Sequence, residues 1–300
     1  LDQGYSTTRL LTQEQPAIEN KPEDKVKSSL FLPNNQDRNG EGGLRKQGYF
    51  KTSQEDTPLI AVITVVFNGE DFLEETIQSV INQNYDNVEY IIVDGASTDS
   101  TLEIIHKYEH AIDYWVSEKD LGIYDAMNKG INLTTGRWIN FMNCGDYFYT
   151  KDILKNIFNI QSIHDYQIVY GNQEVRYSSG LKRVVQAGQV ENLWKCSQFC
   201  HQAAFVSSQY HKSHLFNLNT KIVADFEFFY LAWTNQLKFK AIPETVCSFD
   251  AGGVSNGSSM NVFWEISKIQ VQYGIRGKFF AYGGAIYSKL KWFIRRIIWK

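Results

Sequence analysis

One apolar run, residues 59–67 (LIAVITVVF), constrains the fold more than any other feature of the sequence. Its β-branched residues are typical of a strand that is buried on both faces, as in a parallel sheet. Asn68 and Gly69 end the run, and apolar residues then recur at helical spacing between positions 72 and 81. A second strand is expected at 88–93 (VEYIIV). Strand, helix and strand in this order predict parallel strands with right-handed crossovers.

The same alternation continues to about residue 150, with strands predicted at 112–117 and 138–142 and a helix at 123–133. Residues 58–150 are therefore expected to form a Rossmann-like, nucleotide-binding half of an α/β protein, a mostly parallel sheet with helices on both faces. Residues 151–260 are more mixed. Their predicted elements are a hairpin at 166–177 and 181–186, a strand at 201–207, an aromatic-rich helix at 223–237, a strand at 240–249 and a Gly/Ser loop at 251–259.

The two ends of the chain differ in composition from this centre. Residues 1–57 are largely polar and predict a flexible N-terminal leader, of which residues 43–51 are the part expected to dock on the body. Residues 261–300 form a basic tail: of the 30 Lys and Arg residues eight follow Glu265, and no acidic residue does. Apolar residues at 286, 290, 293, 294 and 297 share one face of a predicted amphipathic helix. Such a helix docks either on its own protein or in the plane of a membrane surface, and both remain open.

Composition disfavours several classes of protein. The remaining 22 basic residues face 33 acidic ones, so the body is acidic and a nucleic-acid partner is not expected. Four scattered cysteines are too few for a disulfide scaffold, and reduced thiols are favoured over a zinc site near Cys196 and Cys200. No signal peptide opens the chain, so a cytoplasmic location is expected. A dehydrogenase would need Gly-x-Gly-x-x-Gly after the first strand, where FNGE stands at 67–70.

Polar side chains follow the ends of the predicted strands. They are Asn68, Asp94, residues 118–120 and residues 143–146. The carboxyl ends of parallel strands meet at one edge of a sheet, and ligands of open α/β sheets bind at that edge. These positions therefore predict a ligand site.

Six segments, taken in order, resemble the family 2 glycosyltransferases, and most of all the bacterial enzymes that build O-antigen, capsule and exopolysaccharide. They are ITVVFN (63–68), IIVDGASTDST (91–101), SEKDLGIYDAMNKGI (117–131), GRWINFMNCGDYF (136–148), CHQAAFV (200–206) and ADFEFF (224–229). The resemblance implies a GT-A fold, with residues 151–260 as the acceptor-binding and catalytic half. It also implies inverting transfer of a sugar from a nucleotide-sugar, usually UDP-linked, to a hydroxyl of a glycan or a lipid-linked glycan.

The resemblance assigns the donor nucleotide to several of these positions. Asp94 would accept hydrogen bonds from the nucleobase, and residues 120–125 would form the second wall of its pocket. Lys129 would approach the pyrophosphate, because Met127 stands where the family often has a basic residue. The full set of donor-binding candidates is Val65, Phe67, Asn68, Asp94, Gly95, Asp120, Gly122, Lys129 and Asn143.

The carboxylates expected to carry the chemistry follow. Asp146 takes the place of the family's ligand for Mg²⁺ or Mn²⁺, although Asn143 and Gly145 replace its usual carboxylate partners. Asp225 takes the place of the general base that deprotonates the acceptor hydroxyl. A retaining enzyme would need a second carboxylate, and Glu227, two residues further along a helix, would point away from Asp225. Inversion is therefore favoured.

The acceptor side is assigned to His201, Gln202 and Glu227, and the Gly/Ser loop at 251–259 serves either as a lid or as a linker. A lipid-linked acceptor would place the enzyme peripherally at the inner face of the plasma membrane. Because the metal motif lacks its usual carboxylate partners, one alternative remains open: a catalytically degenerate family member that binds nucleotide or acts as a scaffold. Asp225 argues against it, because a protein that only binds has no need of a base.

Overall fold

One mixed sheet with helices on both faces organises the chain. The computed structural model describes residues 4–275 and 277, except 19, 160–162, 164 and 253–259. The strands are β1 Gly40–Gly42, β2 Ile60–Val66, β3 Val88–Asp94, β4 Tyr114–Ser117, β5 Trp138–Phe141, β6 Tyr147–Phe148, β7 Ile168–Arg176, β8 Lys182–Val185, β9 Ala204–Ser207 and β10 Phe239–Asp250. The helices are α1 Leu73–Ile81, α2 Thr101–Lys107, α3 Ile123–Leu133, α4 Ile153–Phe158, α5 Ser208–Ser213, α6 Ala224–Thr234 and α7 Met260–Gln272. The strand order is β1-β4-β3-β2-β5-β9-β7-β10-β6, with β8 paired to β7.

The centre of the sheet confirms the predicted parallel half. β2 pairs in parallel with β3 and β5, and β3 pairs in parallel with β4. All seven residues of β2 are buried, as expected for a strand covered on both faces. Ile60 and Val62 pack in the core that includes α1, α2 and α4, whereas Ala61 and Ile63 pack with α3, α5 and α6. The α/β class with helices on both faces is therefore confirmed.

The second half continues the sheet in mixed directions. β9 runs antiparallel between β5 and β7, and β10 is parallel to β7 but antiparallel to β6. The predicted hairpin is confirmed as β7 and β8. The predicted strand at 201–207 is shorter, because His201–Ala203 form a 3-10 turn before β9 begins. Since β9 runs opposite to β5, this turn lies at the edge where β5 ends.

The N-terminal segment differs from the expected flexible leader. Among its described residues, Leu44 is fully buried and β1 pairs with β4. Two of its basic side chains form buried ion pairs with the sheet, Arg45 with Glu89 and Lys51 with Asp113, each at 2.5 Å. Leu44, Arg45 and Lys51 lie in residues 43–51, the part expected to dock, but the pairing of β1 was not expected, because polar and charged residues count against burial unless a partner elsewhere in the chain is known.

The C-terminal tail is described only as far as α7 and the few residues after it. Glu265 of α7 accepts hydrogen bonds from the backbone N–H groups of Ile222 and Val223, 2.8 and 3.2 Å away, so α7 is tied to the start of α6. The amphipathic helix predicted for 286–300 and most of the loop at 251–259 lie outside the described residues. No helix in the part of the chain that the structure describes is long and apolar enough to cross a membrane.

Candidate active site

The carboxyl edge of the central strands brings most of the predicted site residues together. Val66, Asp94 and Phe141 end β2, β3 and β5 at this edge. The 3-10 turn that begins at His201 lies beside the end of β5, and α6 begins nearby with Asp225 as its second residue. The predicted ligand edge is thus built from both halves of the chain.

A hydrogen-bonded array centres on Asp225. One carboxylate oxygen, Oδ2, lies 3.2 Å from Nδ1 of His201, and the hydroxyl of Tyr124 lies 3.1 Å from Oδ1. On its other side, Nε2 of His201 lies 3.0 Å from Nδ2 of Asn143. The side chains of His201 and Asp225 keep 14% and 20% of their surface exposed, so solvent or a ligand can reach them.

The same array determines the ionisation of Asp225. Burial alone would raise the pKa of this carboxyl group. The hydrogen bond and charge of His201 outweigh burial, with further help from Tyr124, and hold the pKa below its usual value of 3.8. Asp225 is therefore ionised at neutral pH and able to accept a proton.

Asp146 lies deeper than Asp225. Its Oδ2 accepts a hydrogen bond from Nε2 of Gln202 at 2.7 Å, and its Oδ1 accepts one from the backbone N–H of Asp250 at 3.1 Å. Burial raises the pKa of Asp146. Oδ1 of Asn143, three residues before Asp146, is buried without a hydrogen-bond partner among the described residues, so it is a further candidate oxygen ligand.

These residues fit a divalent cation only in part. Within the described ranges no group of three or more His, Cys, Asp and Glu side chains converges on one point. Asp146 and Asn143 supply hard oxygen ligands, which suit Mg²⁺ or Mn²⁺, and such ions keep several waters or substrate oxygens. The residues therefore fit an ion that is completed by the substrate, not one caged by the protein.

Asp94 ends β3 as predicted, but its carboxylate is buried. It is 0% exposed, and its carboxylate accepts hydrogen bonds from the N–H and the hydroxyl of Ser97 and from Oγ of Ser117, the last at 2.5 Å. With these donors it anchors the loop after β3 to β4. A nucleobase would reach this carboxylate only after the loop moved, so the placement lends no support to direct base recognition by Asp94, which stays a prediction.

Beside Asp94, the buried Gly95 lies against Phe67 and Asp120, and the partly exposed side chains of these two residues form a surface that is called the slot at Gly95 below. A Cβ on Gly95 would lie 2.6 Å from Oδ2 of Asp120 and 3.4 Å from Cδ2 of Phe67. Oδ1 of Asp120 accepts the N–H of Gly122 at 2.8 Å, which leaves Oδ2 available. The ring of Phe67 is 65% exposed and offers a flat apolar face. A planar ring that carries an N–H group can pack on the ring of Phe67 and donate a hydrogen bond to Asp120.

Three other predicted residues take part in packing or loop structure. Val65 is buried in the core, and Asn68 accepts the N–H of Thr98 at 2.9 Å through its side-chain oxygen. Lys129 pairs with Glu118 at 3.1 Å, so its charge is already compensated. The prediction that Lys129 approaches the pyrophosphate gains no support from this placement.

Glu227 faces away from the candidate site, as the helix geometry predicted. It is buried and accepts hydrogen bonds from Asn217, Thr220 and Tyr273, so its assignment to the acceptor side is not what the packing indicates.

Arg176 was not among the site residues predicted from the sequence. Its guanidinium lies 4.1 Å from the ring centre of Tyr147 and donates to the carbonyl of Gly145. No motif in the sequence indicated Arg176. It ends β7, and the pairing of β7 with β10 and of β10 with β6 brings it to Tyr147.

Comparison with known proteins identifies the family of this chain. A glycosyltransferase of Mycobacterium bovis, named for PGL/p-HBAD biosynthesis, is 28% identical over 228 residues, which are 73% of this chain and 88% of that protein. The Bacillus subtilis protein TuaG, whose name places it in teichuronic acid biosynthesis, is 37% identical over 101 residues, 33% of this chain and 40% of its own.

Solved structures agree on the fold. Staphylococcus aureus TarS residues 1–349 in complex with UDP-GlcNAc match with a TM-score of 0.57 at 18% identity, over 71% of this chain and 66% of that one. The mannosyltransferase PcManGT of Pyrobaculum calidifontis, in complex with GDP-Man and Mn²⁺, matches with a TM-score of 0.57 at 16% identity, over 76% and 67%. The predicted GT-A fold is confirmed. The sequence model described as glycosyl transferase family 2 matches residues 61–229, more than half of the 300 residues. The chain is a glycosyltransferase and belongs to glycosyl transferase family 2.

Proposed function

We propose that this glycosyltransferase is an inverting enzyme with Asp225 as its general base. The observation that carries the proposal is the Asp225 carboxylate, ionised, partly exposed and oriented by His201 and Tyr124 at the carboxyl edge of the sheet. In the reaction the acceptor O–H gives its proton to Asp225, the acceptor oxygen bonds to the anomeric carbon, and the bond from that carbon to the nucleoside diphosphate breaks.

A single carboxylate favours inversion. A retaining glycosyl-enzyme mechanism needs a second carboxylate placed as nucleophile. Glu227 is tied to Asn217, Thr220 and Tyr273 inside the protein. Asp146 is held by Gln202 and by the backbone of Asp250. Asp225 is therefore the carboxylate best placed to act on a substrate.

The proposed donor is a nucleotide-sugar, with UDP as the carrier. The slot at Gly95 supports a planar base lying against Phe67, with the base N–H donating to Asp120. TarS in complex with UDP-GlcNAc and PcManGT in complex with GDP-Man share the fold, which supports a nucleotide-sugar as the class of donor. Asp94, Gly122 and Asn68 hold the loops around it.

A substitution at Gly95 tests this slot. Gly95→Ala is expected to weaken UDP binding by about ten- to hundredfold, because its methyl group would displace the Asp120 carboxylate, and the loss of a hydrogen bond to a charged group costs about 1.5–3 kcal/mol. Isothermal titration with UDP measures the change. In an Asp120→Ala background the same substitution should have a smaller effect, since its closest contact is gone. Equal UDP affinity in Gly95→Ala and wild type would place the base elsewhere.

A divalent cation, Mg²⁺ or Mn²⁺, is proposed as cofactor. Asp146 and Oδ1 of Asn143 would hold it, and when bound it would neutralise charge that develops on the leaving nucleoside diphosphate. Arg176 lies next to this point and adds a fixed positive charge.

Removal of the Asp146 carboxylate tests the metal assignment. Asp146→Ala is expected to raise the Mn²⁺ concentration needed for half-maximal transfer by at least about tenfold, since the protein supplies few other ligands. Transfer assayed across a Mn²⁺ series after EDTA treatment gives this value. The matched control is Asp56→Ala, which removes an exposed carboxylate that precedes β2, at the opposite edge of the sheet. Transfer that persists in EDTA would exclude the cation.

The proposed acceptor is a hydroxyl of a glycan or lipid-linked glycan, in the synthesis of a surface polysaccharide such as O-antigen or of a glycolipid. The names of the relatives, PGL/p-HBAD biosynthesis and teichuronic acid biosynthesis, support this class. His201 and Gln202 would face the acceptor. A cytoplasmic enzyme at the inner face of the plasma membrane, held there by the basic tail at 261–300, fits a lipid-linked acceptor.

A further inference from the structure

A second cavity lies at the edge of the sheet opposite the candidate active site. It has a volume of about 320 Å³ and lies between the N-terminal segment, the α3–β5 loop and α5. Thr134 and Thr135 of its lining precede β5, whose far end leads to Asn143. A strand of four residues spans about 10 Å, so this cavity is separate from the donor slot.

One lysine of the cavity lining has no ion-pair partner among the described residues. Lys212 lines the cavity, and no carboxylate among the described residues lies within ion-pair distance of its ammonium group. Burial lowers the pKa of Lys212, and Glu89 and Asp24 oppose this only through their charge. Glu89 is itself paired with Arg45. A partly buried ammonium group without a partner is costly, and a bound anion would remove that cost.

Hydroxyl groups of the cavity lining supply further hydrogen-bond donors. Ser28 is 7% exposed, and its Oγ is buried without a hydrogen-bond partner in the described structure. Oγ of Ser53 accepts the N–H of Leu59 at 3.1 Å, so its own proton is free to be donated. Lys51, the other lysine of the lining, is neutralised by Asp113. None of the lining residues that the structure describes is acidic.

We propose that this cavity binds a phosphate group, as free phosphate or as the phosphate monoester of a small molecule. An ammonium group and several hydroxyl protons match the tetrahedral oxygens of phosphate, and charge-assisted hydrogen bonds are the strong ones. The volume leaves room for an organic group beside the phosphate. The site uses none of the residues proposed for donor or acceptor, so it stands independently of the proposed reaction.

Calorimetric titration of the full chain tests the proposal, with inorganic phosphate, glucose 1-phosphate and acetate as probes. We expect saturable binding of at least one phosphate compound. Lys212→Gln should weaken it by about ten- to hundredfold, because a hydrogen bond to a charged group is lost. The control Lys27→Gln, which changes an exposed lysine of the N-terminal segment, should bind as wild type. Ser28→Ala provides a second, milder loss.

Melting curves separate a binding role from a packing role. Without ligand, Lys212→Gln should melt at the same temperature as wild type or higher, because an unpaired buried charge is removed. Phosphate should raise the melting temperature of wild type but not of Lys212→Gln. The proposal is overturned if neither phosphate compound binds, if acetate binds as tightly as they do, or if Lys212→Gln retains full affinity. Asp225→Asn should bind phosphate normally, so failure of the proposed reaction leaves this test intact.

Discussion

Asp225→Asn is expected to lower glycosyl transfer by about 10²- to 10⁴-fold, the usual contribution of a positioned general base. The amide keeps the size of the carboxylate and an oxygen that can accept from Tyr124, 3.1 Å from Oδ1 in the wild type. It cannot accept the proton of the acceptor hydroxyl. Donor binding should change little, because Asp225 lies on α6 and the donor slot lies at the ends of β2 and β3.

Two measurements make this result decisive. Transfer is assayed with UDP-, GDP- and dTDP-sugars in the presence of Mn²⁺, and donor affinity is titrated separately. Glu227→Gln is the matched control on the same helix, and a folded sample of it should keep wild-type transfer, since Glu227 packs inward. Full transfer by Asp225→Asn would refute the base assignment. Donor binding without transfer in the wild type would favour the degenerate, scaffold alternative.

The surroundings of Asp225 explain why a carboxylate with a lowered pKa can act as the base. His201 lies between Asp225 and Asn143, with contacts of 3.2 and 3.0 Å. If Nδ1 of the ring carries the proton, it donates to Asp225 while Nε2 accepts from Asn143, an assignment that follows from the bonding pattern. The acceptor hydroxyl becomes acidic only as its oxygen bonds to the anomeric carbon, so proton transfer late in that step does not require a strong base.

Sequence periodicity predicted the parallel core well, because a strand buried on both faces leaves a continuous apolar run. β2, β3 and α3 lie within one or two residues of their predicted ranges. The family motifs located the edge at which Asp225, Asp146 and His201 meet. Helix geometry implied that Glu227 points away from Asp225, since two residues along a helix turn a side chain by more than half a circle.

The orientation of individual side chains at that edge was less predictable. Asp94 ends its strand as expected, but Ser97 and Ser117 supply enough donors to hold its carboxylate inside. Lys129 meets Glu118, a partner eleven positions earlier in the sequence. Whether a polar group at a strand end faces a ligand depends on which neighbours satisfy it, and those neighbours come from segments whose placement a single sequence does not reveal.

The N-terminal segment shows the same limitation on a larger scale. Its composition is that of a disordered chain, yet its charged residues are what fasten it to the sheet. Arg45 pairs with Glu89 at 2.5 Å and donates from Nη1 to the backbone carbonyls of Leu30 and Leu133. Glu89 in turn accepts the backbone N–H of Thr135 at 2.8 Å. The segment is thus joined to the α3–β5 loop through one buried pair.

Arg45→Ala is therefore expected to lower the free energy of unfolding by about 3–5 kcal/mol at pH 7, because it leaves the Glu89 carboxylate buried without a counter-charge. Urea denaturation followed by fluorescence measures the change. The control is Lys46→Ala, which breaks the largely exposed pair with Glu41 and should cost at most about 1 kcal/mol.

The pH dependence of the Arg45→Ala loss tests its cause. In the wild type, burial opposes ionisation of Glu89, but the charge of Arg45 and the bonds from Thr135 and Gly136 hold its pKa below 4.5. This group stabilises the fold above the unfolded pKa, and the contribution is lost as the pH falls through the folded pKa. Without Arg45 burial raises the pKa of Glu89, so the difference between variant and wild type should shrink as the pH is lowered from 7 towards 4. A loss no larger than that of Lys46→Ala, or one independent of pH, would mean that the pair is not buried in solution and that the N-terminal segment is not fastened in this way.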